Sequence, residues 1–220
     1  MQSAQQADQK AGIDQNWFAK VTQDLAKSEY YIRYQEDSKS YQSPNRSQNL
    51  RITYSDNGFT MAPRVGDTKP WNVSMTLTSV SKGAGQLPLE SKPAVEVKDN
   101  RIATNYSNLT IEYLNNPDGM RQNFIVKSRP AGTNPLTLTL ATSGNLVPEL
   151  KGSDAVVFTE KNHNAQGVVW YKDLNVWDAQ HTKLAAKMEL HGNAIDLVVD
   201  DRNAVYPVTV DPLSTTANWT

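Results

Sequence analysis

Along most of this chain apolar and polar residues alternate, and that period of two constrains the fold more than any other feature. From Glu29 onward, runs such as Leu50–Tyr54, Leu109–Leu114, Arg121–Val126, Leu136–Ala141 and Ile195–Val199 follow it. Successive side chains of a strand point to opposite faces, so each run can bury one face and wet the other. Turn formers interrupt the runs about every eight to twelve residues. Ser55-Asp56-Asn57-Gly58, Lys98-Asp99-Asn100-Arg101, Asn115-Asn116-Pro117-Asp118-Gly119 and His191-Gly192-Asn193 all offer residues that tolerate positive φ, as tight hairpins demand. The expected class is all-β: an antiparallel β-sandwich built as two stacked lobes.

One stretch departs from this period. Ile13, Trp17, Val21 and Leu25 recur at every fourth position with Phe18 beside them, and Asp14 is placed to cap the first turn. This predicts one N-terminal amphipathic helix, its apolar stripe packed on the neighbouring sheet. The expected divisions are a disordered leader over 1–12, the helix over 13–28, a first β lobe over 29–126, a linker over 127–135, a second lobe over 136–213 and an exit linker over 214–220. The linker, Lys127-Ser128-Arg129-Pro130-Ala131-Gly132-Thr133-Asn134-Pro135, has no apolar period at all.

Asn-Leu opens three of the runs, at Asn49-Leu50, Asn108-Leu109 and Asn145-Leu146. The unequal spacing argues for shared strand-opening chemistry, not for a repeat.

Composition excludes several function classes. The 220 residues carry 22 Lys+Arg against 23 Asp+Glu, with no long block of one sign, so neither nucleic acid nor an anionic membrane surface is an expected partner. The absence of cysteine removes thiol nucleophiles and thiolate metal sites. No run reaches the roughly 20 apolar residues that a membrane-spanning helix needs. The polar start, MQSAQQADQKAG, reads like the residues that follow a removed signal peptide, with Met1 added ahead of them. An extracellular or cell-envelope location is the expectation.

Candidate sites are few. Asp196, Asp200, Asp201 and Asp211 form the densest acidic group; Asp200 and Asp201 could offer oxygens to Ca²⁺, and the first three could supply paired carboxylates for glycan hydrolysis. The plainer reading makes Asp200-Asp201-Arg202-Asn203 the turn of a last hairpin between Ile195–Val199 and Val205–Val210, at an edge or bulge because of Pro207, with Asp211-Pro212 ending the pairing. Trp170, Tyr171 and Trp177 could form a sugar-stacking platform, although alternation sends Trp170 and Tyr171 to opposite faces. His163, His181 and His191 lie in polar surroundings without metal-ligand spacing. No Gly-x-Ser-x-Gly and no Ser-His-acid arrangement appears.

Three segments carry a resemblance: Ser28-Glu29-Tyr30-Tyr31, Tyr41-Gln42-Ser43-Pro44-Asn45-Arg46-Ser47-Gln48-Asn49-Leu50-Arg51, and the run from Leu197 to Leu213 that ends Tyr206-Pro207-Val208-Thr209-Val210-Asp211-Pro212-Leu213. Together with Ile111-Glu112-Tyr113, Gln122-Asn123-Phe124-Ile125-Val126 and Leu174-Asn175-Val176-Trp177-Asp178-Ala179, they resemble the N-terminal region of large secreted bacterial proteins. In that group the region precedes FG-GAP (integrin-α-like) or SBBP-type repeats, which are predicted to form β-propellers. The resemblance implies a structural or adhesive, non-catalytic module at a cell surface, with a downstream repeat domain as its partner in the same polypeptide and an extracellular glycan or protein as a further one. It transfers no catalytic residue.

Overall fold

The computed structural model describes residues 17–22, 24–65, 70–161 and 168–216. The expected leader, Ile13 and Asp14 of the helix, His163 and positions 217–220 lie outside the described residues.

Helix α1 occupies residues 17–22 and 24–28. The first strands are β1 (Arg33–Gln35), β2 (Ser40–Asn45), β3 (Leu50–Ser55), β4 (Gly58–Pro63), β5 (Val73–Lys82) and the two-residue β6 (Gly85–Gln86). Next come β7 (Ala94–Lys98), β8 (Arg101–Asn105), β9 (Leu109–Asn116), β10 (Gly119–Val126) and β11 (Leu136–Gly144). The remainder are β12 (Leu146–Lys151), β13 (Ala155–Glu160), β14 (Val169–Trp177), β15 (Ala186–His191), β16 (Ala194–Val199) and β17 (Val208–Thr216).

The strands form two antiparallel sheets. The first runs β1-β2-β3-β4-β5-β11-β16-β15, with β6 paired to β5, and the second runs β12-β13-β14-β17-β10-β9-β8-β7. Both sheets take strands from both halves of the chain, and one apolar cluster joins Leu50, Met75 and Tyr113 to Leu138, Tyr171 and Leu197. The antiparallel all-β sandwich is as expected, and its two sheets share one core. The polar segment 127–135 carries the chain from β10 in the second sheet to β11 in the first.

The four tight turns close hairpins as their residues dictate; Asp99 and Gly192 adopt positive φ of 52° and 61°. The Asn-Leu pairs work alike. Each Leu is buried, while each Asn bonds a neighbouring segment: the Asn49 carbonyl accepts from Arg64 N–H at 2.8 Å, that of Asn108 from Lys127 N–H at 2.9 Å, and Asn145 Oδ1 from Asn72 N–H at 2.8 Å.

The last hairpin does not form. β16 pairs with β11 and β15 in the first sheet, whereas β17 lies in the middle of the second, between β14 and β10. Alternation fixes which face of a strand is buried and leaves its neighbour open, and residues 200–207 cross between the sheets. Nor does Asp211-Pro212 end the pairing, since β17 runs on to Thr216. Proline cannot donate to a ladder, and a bulge in β14 between Lys172 and Asn175, with Asp173 at φ 55°, lies opposite Pro212.

Helix α1 also departs from expectation. Trp17, Phe18 and Leu25 are 63%, 69% and 63% exposed, because the facing sheets already fill the interior where the stripe would pack. Just after the helix, the Ile32 N–H donates to the Asp99 carbonyl at 2.7 Å.

Paired residues of adjacent strands share a face, and one such row crosses the first sheet: Tyr34, Tyr41, Tyr54, Phe59 and Met75. Its inner end packs on Tyr113 of the second sheet, with ring centroids 5.3 Å from Tyr54 and 5.8 Å from Phe59. Its outer end, Tyr34, packs edge-on against Tyr41 at 5.2 Å.

Candidate functional site

The stretch Asp200-Asp201-Arg202-Asn203 opens the crossing between sheets, and its two acids face opposite ways. Asp200 is at the surface, where its oxygens accept from Arg202 Nε at 2.9 Å and Nη2 at 2.7 Å. That guanidinium holds the Asp200 carboxyl down to about 2.

Asp201 is fully buried. Its Oδ1 meets Lys82 Nζ in an ion pair and accepts from the Leu136 N–H at 3.2 Å. Its Oδ2 accepts from Tyr206 O–H at 2.7 Å and Arg129 Nη1 at 3.0 Å. Arg129 also donates to the carbonyls of Asp201 at 2.9 Å and Ala204 at 2.8 Å, and its guanidinium lies 4.9 Å from the Tyr206 ring centroid. Burial pushes the Asp201 carboxyl up, but the bonds from Lys82 and Tyr206 and the charges of Lys82 and Arg129 outweigh it, so the group sits below its ordinary value. Burial and the bond to Asp201 push the Tyr206 phenol up.

This arrangement locks the crossing to the end of β5, to the start of β11 and to the segment between β10 and β11. Both oxygens of Asp201 are taken by protein donors. Among the described residues no three His, Asp or Glu side chains gather as a metal-holding group.

A second lock holds the other end of the crossing. The buried Asp178 accepts from the N–H groups of Gln180 and Thr182, both at 2.9 Å, and of Val205 at 3.0 Å. The Val205 bond, ahead of the others, holds its carboxyl below the ordinary value.

The third lock is a polar clasp between the sheets that period counting missed. Asn45 Nδ2 donates to Asn115 Oδ1 and to the Asn116 carbonyl, both at 2.8 Å, while its Oδ1 accepts from the Gln48 N–H at 3.1 Å. Asn115 Nδ2 returns bonds to the Pro44 carbonyl at 2.8 Å and the Tyr30 carbonyl at 3.0 Å. Gln48 Nε2 donates to the Pro117 carbonyl at 3.0 Å, and its Oε1 accepts from Thr215 Oγ1 at 2.9 Å and from Thr216 N–H at 2.9 Å. Asn45 and Gln48 fall within the segment Tyr41–Arg51 that carries the resemblance, and alternation gives no signal for either.

The remaining acids do not converge with Asp201. Asp196 lies on β16, its Oδ2 3.8 Å from His191 Nε2, which is 3.5 Å from Glu189 Oε2. Asp211 lies on β17 in the other sheet, paired with Arg121 Nη1 at 3.1 Å; burial pushes its carboxyl up and the Arg121 charge opposes that. His181 sits in an exposed turn at φ 60°.

The three aromatic candidates separate. Tyr171 is a core residue whose O–H donates to Gln122 Oε1 at 2.8 Å, so it is not part of a surface platform. Trp170 and Trp177 both project from the outward face of β14, where each is half-buried and pairs with a threonine of β17, Thr215 and Thr209. At about 3.3 Å per residue they lie roughly 20 Å apart along the strand.

No helix among the described residues is long and apolar enough to cross a membrane. Comparison with family models, with curated proteins and with solved structures finds no match to this chain.

Proposed function

We propose that this chain is a non-catalytic β-module of an extracellular or cell-envelope protein, structural or adhesive, set ahead of a repeat array in the same polypeptide. The observation that carries this reading is the Asp201 lock. A catalytic carboxylate is held toward a substrate, whereas Asp201 is enclosed by Lys82, Arg129, Tyr206 and the Leu136 N–H. The resemblance adds support, because its most diagnostic segment, Tyr206–Leu213, opens with the tyrosine whose O–H closes the Asp201 lock. A screen of the intact protein, supplemented with Ca²⁺, Mg²⁺ or Zn²⁺, against glycan, ester and peptide substrates tests it. No turnover is expected. Turnover that disappears on substituting one pair of the candidate acids, such as Asp196→Asn with Asp200→Asn, would overturn the reading.

A second reading, glycan binding, is favoured by Trp170 and Trp177 sharing one outward face. Their spacing suits a linear chain of several sugars along β14 more than a single ring. Tryptophan fluorescence titrated with hexasaccharides checks it: saturable quenching lost in Trp177→Ala supports this reading, and an unchanged spectrum across the set removes it.

A further inference from the structure

We infer that the open end of the sandwich, between β1 and β7, is a binding site for a short neutral saccharide. The aromatic row of the first sheet ends there. Phe59 and Tyr54 are buried, Tyr41 is half-buried and Tyr34 is 47% exposed, so a row that starts in the core reaches solvent without a covering residue. The facing wall comes from the second sheet, where Ile102 and Thr104 are buried and Val95, on the edge strand, is 38% exposed. Between the walls lies a cavity of about 390 Å³, within the range of small-ligand pockets. Backbone bonds tie the sheets at both ends, Met188 N–H to the Ser153 carbonyl at 2.6 Å at the far one and Ile32 N–H to the Asp99 carbonyl at 2.7 Å beside β1; neither Ile32 nor Asp99 lines the cavity, which is bounded by side chains of both walls.

The chemistry of the rim narrows the ligand class. Lys39 and Asp56 both line the cavity, and neither side chain makes a hydrogen bond or ion pair among the described residues. One free ammonium and one free carboxylate in the same rim select neither for an anion nor for a cation. They suit a neutral molecule rich in hydroxyl groups, which donate to the carboxylate and accept from the ammonium. Tyrosine rings supply the apolar surface against which the C–H face of a pyranose packs. Rings and polar rim together match a sugar better than a lipid, which would leave Lys39 and Asp56 unused. This site lies between the sheets at the β1 edge and is separate from the outward face that carries Trp170 and Trp177.

The test is calorimetry and saturation-transfer NMR on the intact chain with cello-, xylo-, malto- and chito-oligosaccharides of two to four units. At least one series should bind saturably. Tyr34→Ala and Asp56→Asn should each weaken that binding by about tenfold or more, Tyr34→Phe should retain most of it, and Trp177→Ala should leave it unchanged. Thermal unfolding of each variant establishes that it is folded; both substituted positions are at the surface, and Asp56→Asn stands as the second probe if Tyr34→Ala unfolds. The inference is overturned if no member of the panel binds saturably or if binding survives both Tyr34→Ala and Asp56→Asn. It is equally overturned if binding depends on Trp170 or Trp177 instead, which would move the sugar to the outward face.

Discussion

Lys82, the last residue of β5, and Asp201, 119 positions later, form an ion pair whose side chains are 3% and 0% exposed. Removing two charges from water is costly, and such a pair repays that cost only when its remaining donors and acceptors are satisfied. Leu136, Arg129 and Tyr206 meet that condition at Asp201. The pair therefore fixes which segments meet more than it adds to stability.

Breaking one side of it should be far worse than replacing both. Asp201→Asn should cost about 3–5 kcal/mol, because Lys82 is left buried opposite a neutral group. The double substitution Lys82→Met with Asp201→Asn should cost clearly less than the sum of its single changes. Urea unfolding of the four proteins in the cycle measures both.

Acid should weaken the fold through the same residue. The Asp201 and Asp178 carboxyls lie below their ordinary values, so the folded state favours their charged forms. Their contribution is complete above the unfolded value of about 3.9 and is lost as pH falls through the folded values. Asp211 has the opposite sign, since its raised value contributes at low pH and is lost as pH rises through that value. The urea midpoint should drop steeply below about pH 4, and Asp201→Asn should flatten that drop.

Gln48 offers a test of the clasp. Gln48→Ala leaves the buried Thr215 hydroxyl without its partner, and a buried polar group so orphaned costs about 1–3 kcal/mol. Amide exchange at Thr216, whose N–H donates to Gln48 Oε1, should accelerate more than exchange in β3.

Gly85 is held by its surroundings. A Cβ there would lie 1.8 Å from the Ala131 carbonyl oxygen, where the 127–135 crossing passes β6. Gly85→Ala should destabilise by about 1–3 kcal/mol, the usual range for overpacking, and thermal unfolding reads it directly.

The exposed helix face makes a contrasting case. Trp17→Ala and Phe18→Ala should each change unfolding stability by no more than about 0.5 kcal/mol, as surface substitutions do. A larger loss in denaturant unfolding would mean that the face is covered in solution.

Strand positions were legible wherever one face is apolar, which is why Leu136–Ala141 falls inside β11 and Ile195–Val199 inside β16. Strand β2 left no such trace. Its inward residues Tyr41, Ser43 and Asn45 include two polar ones, buried because Tyr54 and Asn115 bond them. Strand β14 keeps its alternation only on either side of the bulge at Asp173, so its full length leaves no continuous period of two. Asp201 looked like a turn residue because Asp-Asp-Arg-Asn has turn composition, and nothing local announces a lysine 119 positions away. The free mouth beside Tyr34 was equally hidden, since it depends on where two edge strands stop.

The place of β17 has a consequence for how the molecule assembles during synthesis. Without Val208–Thr216 the second sheet is two unjoined pieces, β12-β13-β14 and β7-β8-β9-β10, so the inner edges of β14 and β10 are bare. Bare edges recruit strands from other chains. A ribosome-bound chain, or any fragment ending before β17, should therefore aggregate, and the arrival of that one strand heals both edges together.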